Sequence, residues 1–133
     1  MTLTYVDAGV LIVAARGGEA SSERALALLL DAGRTFAASA FLKLEVIPQA
    51  TFHKRANEVA FYERFFESVS VWADERGLTE AALREASMYG LQALDSLHVV
   101  AASQVGAVEL VTLERPARSI YRAHAVKVIH LGY

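Results

Sequence analysis

The sequence of 133 residues contains no cysteine, which excludes disulfides, thiolate metal sites and cysteine nucleophiles. It has only two prolines and eight glycines and no low-complexity tract, so it is not of the linker or disordered type. No apolar run approaches the ~20 residues that span a bilayer, and the start lacks the basic and apolar segments of a secretion signal. These absences predict a soluble cytoplasmic protein with no membrane partner.

An excess of charge of either sign is also missing. Thirteen lysines and arginines against 15 aspartates and glutamates give a formal net charge of -2, so any site for a polyanion must be local. The glycine-rich loops that bind nucleotides do not occur, nor do the acidic pair and lysine of a phosphotransfer domain. Hydrophobic residues make up 54% of the chain, which predicts one domain over residues 1–133 and apolar surface buried in a homodimer.

Short β-branched or aromatic segments alternate with amphipathic segments along the chain. Strands are predicted at residues 3–6, 35–38, 69–72, 109–112 and 126–130, and helices at 23–30, 56–66 and from Thr79 to Gly90. A further helix capped by Ser39 contains Pro48, which should kink it or end its first part. This order predicts a three-layer α/β/α domain with a mainly parallel five-stranded sheet. The aromatic residues Trp72, Tyr62, Phe65 and Phe66 are expected in the core or a dimer interface.

The stretch TYVDAGVLIVA places one carboxylate, Asp7, between an apolar strand and an apolar helix. One interpretation is an N-cap for that helix. The other is a functional acid in a cleft, since an ionised aspartate among apolar side chains is costly to desolvate without a partner.

Three more acids fall where the same cleft would form. Ligands bind outside the carboxyl ends of parallel strands, and both Asp7 and Glu114 follow strands at that edge. Glu45 lies on the helix after the second strand, in apolar surroundings. Asp95, in LQALDSLHVVAAS, lies in the first turn of a buried helix, where the helix dipole favours an anion.

Carboxylates that converge in a half-buried cleft repel one another, by about 4 kcal/mol for charges ~4 Å apart at an effective dielectric near 20. A divalent cation removes that cost, and oxygen ligands without cysteine favour Mg²⁺ or Mn²⁺. Such an ion can polarise a phosphoryl oxygen and activate water against a phosphodiester. The alternative is four separate acids: caps at Asp7 and Asp95, a loop acid at Glu114 and a surface acid at Glu45.

The stretches that carry these acids are YVDAGVLI, SAFLKLEV, ALDSLHVVAA and ELVTLERPAR. Together they resemble the PIN domain family, most closely its small VapC-type toxins from toxin–antitoxin pairs, over essentially the whole chain. The resemblance implies that the metal-binding and catalytic acids are Asp7, Glu45, Asp95 and Glu114. It also implies Mg²⁺- or Mn²⁺-dependent cleavage of RNA and inhibition by a cognate antitoxin protein.

The sequence departs from the usual PIN pattern at three positions. Ala8 and Gly9 follow the first acid, where the family usually has a hydroxyl residue and then a small polar one, and Glu114 stands where aspartate is commoner. Weaker support of the first acid favours an alternative function, a PIN-fold module that binds RNA or protein and has lost catalysis.

Four other polar side chains near these acids have simpler assignments. His98, one turn after Asp95, is expected to be a packed core residue, and Thr112 is assigned to the end of its strand. Arg115 and Arg118 are candidate contacts for an RNA phosphate backbone, although a solvated turn explains them equally well.

Overall fold

A parallel sheet forms the centre of the fold in the computed structural model, which describes residues 1–132. Its strands are β1 (Thr2–Val6), β2 (Arg34–Ala38), β3 (Val71–Trp72), β4 (Glu109–Thr112) and β5 (Val128–His130). Their spatial order is β3-β2-β1-β4-β5, and every neighbouring pair is parallel. The predicted three-layer α/β architecture is confirmed, with β1 at the middle of the sheet.

Helices connect the strands in the predicted order. They are α1 (Ala8–Arg16), α2 (Ala20–Leu29), α3 (Ala40–Phe52), α4 (Ala56–Ser68), α5 (Leu78–Tyr89) and α6 (Ala93–Gln104), with a short 3₁₀ turn at Ser119–Arg122. Long connections of this kind are required between parallel strands, because successive strands start at the same edge. The junction between β1 and α1 and the junction between β2 and α3 therefore lie at the same edge of the sheet. Within residues 1–132, no helix combines the length and apolar character needed to cross a membrane.

The local signals for helix ends were mostly, but not always, right. Ser39 caps α3 by accepting from the amide of Leu42 at 3.3 Å, and Gly90 ends α5 in the left-handed conformation, with φ of 69°. Thr79, however, does not open α5. That helix begins at Leu78 after Gly77, which has φ of 76°.

Pro48 does not end helix α3, which runs on to Phe52. Proline removes the hydrogen bond to the carbonyl of Leu44, but both residues face solvent, where water can bond that carbonyl. Two strands are also shorter than predicted, because β3 begins at Val71 and β5 at Val128.

The core lies on both faces of the sheet. Its largest fully buried side chains include Tyr5, Leu11, Leu42, Tyr62 and Leu110. The predicted core positions of Tyr62, Phe65 and Phe66 are confirmed. Trp72 is 43% exposed and contacts the ring of Phe66 from the edge strand, so it is not a core residue.

Candidate active site

Asp7 follows the central strand and is fixed by three hydrogen bonds. Its amide donates to the carbonyl of Val111 at 3.2 Å, which continues the pairing of β1 with β4. One carboxylate oxygen, Oδ1, accepts from the amide of Val10 at 3.3 Å, and the other accepts from the hydroxyl of Thr112. Asp7 is therefore the N-cap of α1, as one interpretation predicted, and is also cross-linked to the neighbouring strand.

Asp7 is only 9% exposed, and no lysine or arginine of residues 1–132 forms an ion pair with it. Burial raises its pKa to about 6, against the lowering effect of the bonds from Thr112 and Val10. The charge of His98 lowers this pKa and the charge of Glu114 raises it. The site thus keeps a desolvated carboxylate that no lysine or arginine of residues 1–132 neutralises.

Asp95 lies in the first turn of α6 and is half-buried. Its alternative assignment as a cap is wrong, because Gln92 occupies the cap position. Burial raises the pKa of Asp95, the charge of Glu114 raises it further, and the charges of His98 and Arg118 oppose the rise. Glu114 therefore acts electrostatically on both Asp7 and Asp95.

The loop after β4 is held to the site by its backbone. The amide of Glu114 donates to the Thr112 hydroxyl oxygen at 3.0 Å, and the Tyr121 hydroxyl donates to the Glu114 carbonyl at 2.6 Å. The Glu114 carboxylate is 41% exposed and lies 3.6 Å from Nε of Arg118. Arg118 and Arg115 are both exposed beside it, so the loop presents two guanidinium groups next to the acids.

Glu45 is not in apolar surroundings, contrary to the sequence prediction. Its carboxylate accepts from Nε2 of His98, whose other ring nitrogen, Nδ1, lies 2.7 Å from the hydroxyl of Tyr5. That hydroxyl lies 2.7 Å from the hydroxyl of Ser39. His98 is buried, as predicted, but it also connects α6 to the acid on α3. Burial raises the pKa of the Tyr5 phenol, so Tyr5 stays neutral.

A second buried carboxylate, Glu109, lies at the opposite end of the same two strands. It opens β4, is 7% exposed, and accepts from the hydroxyl of Thr4 at 3.3 Å. It also forms an ion pair with Arg34, whose guanidinium bonds Thr4 at 2.7 Å and Asp31 at 3.1 Å. Glu109 therefore has an arginine partner, whereas no lysine or arginine in the described part of the chain pairs with Asp7.

The acids at the carboxyl edge fit a divalent cation in the chemistry of their donors. They offer hard oxygen ligands, and the pKa values of Asp7 and Asp95 are raised by burial and by a neighbouring negative charge, the cost that a cation would offset. They do not form a preassembled ligand shell, since no three acidic or histidine side chains within residues 1–132 group closely enough for that.

Sequence reasoning missed Tyr5 and the bonds of Thr112 and His98. Tyr5 was treated as an apolar strand residue, yet a phenol in a strand buried on both faces requires a hydrogen-bond partner, which is a usable signal. The Thr112 bond follows from the observed register, in which Val6 pairs with Val111 and the next residues, Asp7 and Thr112, are neighbours; these two residues are 105 positions apart, and the sequence pattern does not indicate their contact.

The sequence profile of the PIN domain family matches residues 4–122. The chain belongs to the PIN domain family. Its fold resembles a chain in the crystal structure of VapBC2 from Rickettsia felis bound to a promoter DNA fragment. The TM-score is 0.74 at 15% identity, and the match covers 97% of this chain and 98% of that chain. It also resembles PAE2754 from Pyrobaculum aerophilum, with a TM-score of 0.62 at 20% identity, over 98% and 92% of the two chains. No curated protein sequence matches the chain significantly.

PIN domains are generally nucleases that act on RNA, and they typically use divalent metals. At these identities the two structural relatives show the fold alone. The function of this PIN domain must therefore be argued from its own acids.

Proposed function

We propose that this PIN domain is a metal-dependent endoribonuclease whose principal metal ligands are Asp7, Glu45 and Asp95, with Glu114 assisting. The observation that carries the proposal is the state of Asp7, a buried carboxyl with no ion pair to a residue within 1–132 and a pKa raised to about 6. Holding such a group reduces stability, so its presence at the ligand-binding edge of a parallel sheet favours a role in binding a cation.

Side chains and amides of the protein orient the Asp7 carboxylate and are available to contact the substrate. Thr112 and the amide of Val10 fix the two Asp7 oxygens, which limits the reorganisation needed to bind an ion. Bound Mg²⁺ or Mn²⁺ would supply Lewis-acid chemistry for hydrolysis of a phosphodiester. Arg115 and Arg118, exposed beside the acids, are proposed to contact the RNA backbone and hold it against them.

The proposal extends to partners. The likeness to a VapBC2 complex supports a toxin paired with a small antitoxin protein, which would act on RNA in the cytoplasm. A homodimer is supported by large apolar side chains that are exposed on this chain. These include Leu30, Leu44, Phe52, Leu83 and Met88.

The test is cleavage of a panel of structured RNAs by the purified protein. We expect cleavage with Mn²⁺ or Mg²⁺, none with excess EDTA, and a loss of at least about 10³-fold in Asp7→Ala and Asp95→Ala, because each removes a proposed ligand. Glu109→Gln is the matched control, since it alters a buried carboxylate on the same strands and should cleave at close to the wild-type rate. Purifying all variants identically excludes a contaminating nuclease.

Cleavage that survives EDTA, or that persists in both alanine variants, would refute the proposal. A second candidate function, a PIN-fold binding module without cleavage, is favoured by the absence of hydroxyls at Ala8 and Gly9. A Cβ atom at Gly9 would lie 3.5 Å from Oδ1 of Asp7, so a serine there would sit directly beside the acid. If the wild type binds RNA but does not cut, and an A8T/E114D double variant gains cleavage, the binding-module function is correct.

A further inference from the structure

A buried chain of hydrogen bonds starts and ends on helix α3 and passes through the middle of the sheet. It runs from the amide of Leu42 to Ser39, then to Tyr5 on β1, then to His98 on α6, and finally to Glu45. Ser39 and Tyr5 are fully buried and His98 is 3% exposed. Three separate elements therefore hold a carboxylate that is itself only half-buried.

Donor and acceptor chemistry gives this chain one direction. A carboxylate only accepts, so His98 donates to Glu45 from Nε2, and when its imidazole is neutral its Nδ1 accepts from the Tyr5 hydroxyl. The Tyr5 oxygen then accepts from the hydroxyl of Ser39, whose own oxygen already accepts from Leu42. No buried side-chain nitrogen or oxygen in residues 1–132 lacks a partner, so nothing in the chain requires the reverse direction.

We propose that Tyr5 and His98 are positioning residues that set the orientation of Glu45 for the reaction. The inference rests on the proposed function, because it takes Glu45 to be one of the ligands. A glutamate on a solvent-facing side of a helix samples several rotamers, and the His98 bond selects one of them. Tyr5 in turn fixes the plane of the imidazole ring and leaves its donor nitrogen aimed at Glu45.

The decisive variant is Tyr5→Phe, which removes one buried oxygen and retains the ring. Its matched control is Tyr62→Phe, because Tyr62 is also fully buried and donates to an acid, Glu58, at 3.1 Å on α4. Both variants should lower the melting temperature by similar amounts. We expect kcat for RNA cleavage to fall about tenfold in Tyr5→Phe, with KM within about twofold, while both parameters stay near wild type in Tyr62→Phe.

An unchanged kcat in Tyr5→Phe would overturn the inference, as would equal losses of kcat in the two variants, since either result would make the chain merely structural. A second measurement does not depend on cleavage. At about pH 8, ¹H–¹⁵N spectra of the metal-free wild type should show the His98 ring proton on Nε2.

That proton should be protected from exchange with water in the wild type and in Tyr62→Phe. The signal should be lost in Glu45→Ala and broadened in Tyr5→Phe, because these changes remove the acceptor and the support of the ring. A proton on Nδ1, or a signal unaffected by Glu45→Ala, would overturn the inference. If the wild type fails to cleave RNA while these spectra behave as expected, the proposed function is wrong and the positioning of Glu45 stands.

Discussion

Two buried carboxylates lie at opposite ends of the same strand pair and have opposite surroundings. Asp7 follows β1 and accepts from Thr112 at the end of β4, whereas Glu109 opens β4 and accepts from Thr4 on β1. Both are less than a tenth exposed. Glu109 is neutralised by Arg34, but Asp7 has no such partner within residues 1–132.

The difference separates a carboxylate whose charge is balanced within the fold from one whose burial reduces stability. A buried ion pair with its remaining bonds satisfied is at least tolerated, and removing one partner is strongly destabilising. A buried, unpaired carboxyl instead favours its proton, as the raised pKa of Asp7 shows. The two acids are alike in their burial and in their hydrogen bond to a threonine on the neighbouring strand. They differ in whether an arginine faces them.

The largest expected effect is an opposite change in stability when each acid is made neutral. The pKa of Asp7 is about 6 in the folded protein, above the ordinary aspartate value of about 3.9, so stability is lost as pH rises between these values, by about 3 kcal/mol. Asp7→Asn should therefore flatten this loss and raise the free energy of unfolding near neutral pH. Glu109→Gln should lower it by about 2 kcal/mol, because Arg34 loses its buried anionic partner and retains only Thr4 and the more exposed Asp31.

Urea denaturation at a series of pH values measures both variants against the wild type. The claim that the two acids have opposite effects on stability would be refuted if Asp7→Asn were destabilised as much as Glu109→Gln near neutral pH. It would also fail if the wild type gained stability as pH rises through the folded pKa of Asp7.

A smaller effect is expected from the two threonines that bond these acids. Thr112→Val removes a donor to Asp7 and an acceptor for the amide of Glu114, so kcat for RNA cleavage should fall about tenfold. Thr4→Val removes the equivalent donor to Glu109 and should cost about 1 kcal/mol of stability while kcat stays unchanged. Steady-state kinetics and denaturation of both variants test these two expectations. Equal effects of Thr112→Val and Thr4→Val on kcat would contradict the assigned difference between Asp7 and Glu109.

The sequence was sufficient for the features that depend on local pattern. Apolar strands followed by single acids predicted that Asp7 and Glu114 lie at one sheet edge, and the first-turn position of Asp95 on its helix is confirmed. Features that depend on contacts between distant elements were missed. The Glu45–His98 bond joins residues 53 positions apart, and the Tyr5–His98 bond joins residues 93 apart. Periodicity assigns each of these side chains to a buried face but does not say which partner lies opposite.

The continuation of α3 through Pro48 was underdetermined for a different reason. A proline costs a helix most where the freed carbonyl is buried, and the sequence did not show that Leu44 and Pro48 face solvent. The same helix carries Glu45 in its second turn, so the position of this acid depends on the part of α3 before the proline.

The most direct test of the difference between the two ends of the strand pair is the effect of Mn²⁺ on the melting temperature, measured for each variant against its own metal-free value. An ion that binds only the folded protein at about 100 times its Kd stabilises it by about 2.7 kcal/mol, or roughly 8 °C for a domain of this size. We expect that rise in the wild type and in Glu109→Gln, and little or none in Asp7→Asn. An equal rise in Asp7→Asn, or a rise lost in Glu109→Gln but kept in Asp7→Asn, would show that the unpaired carboxyl does not bind the cation.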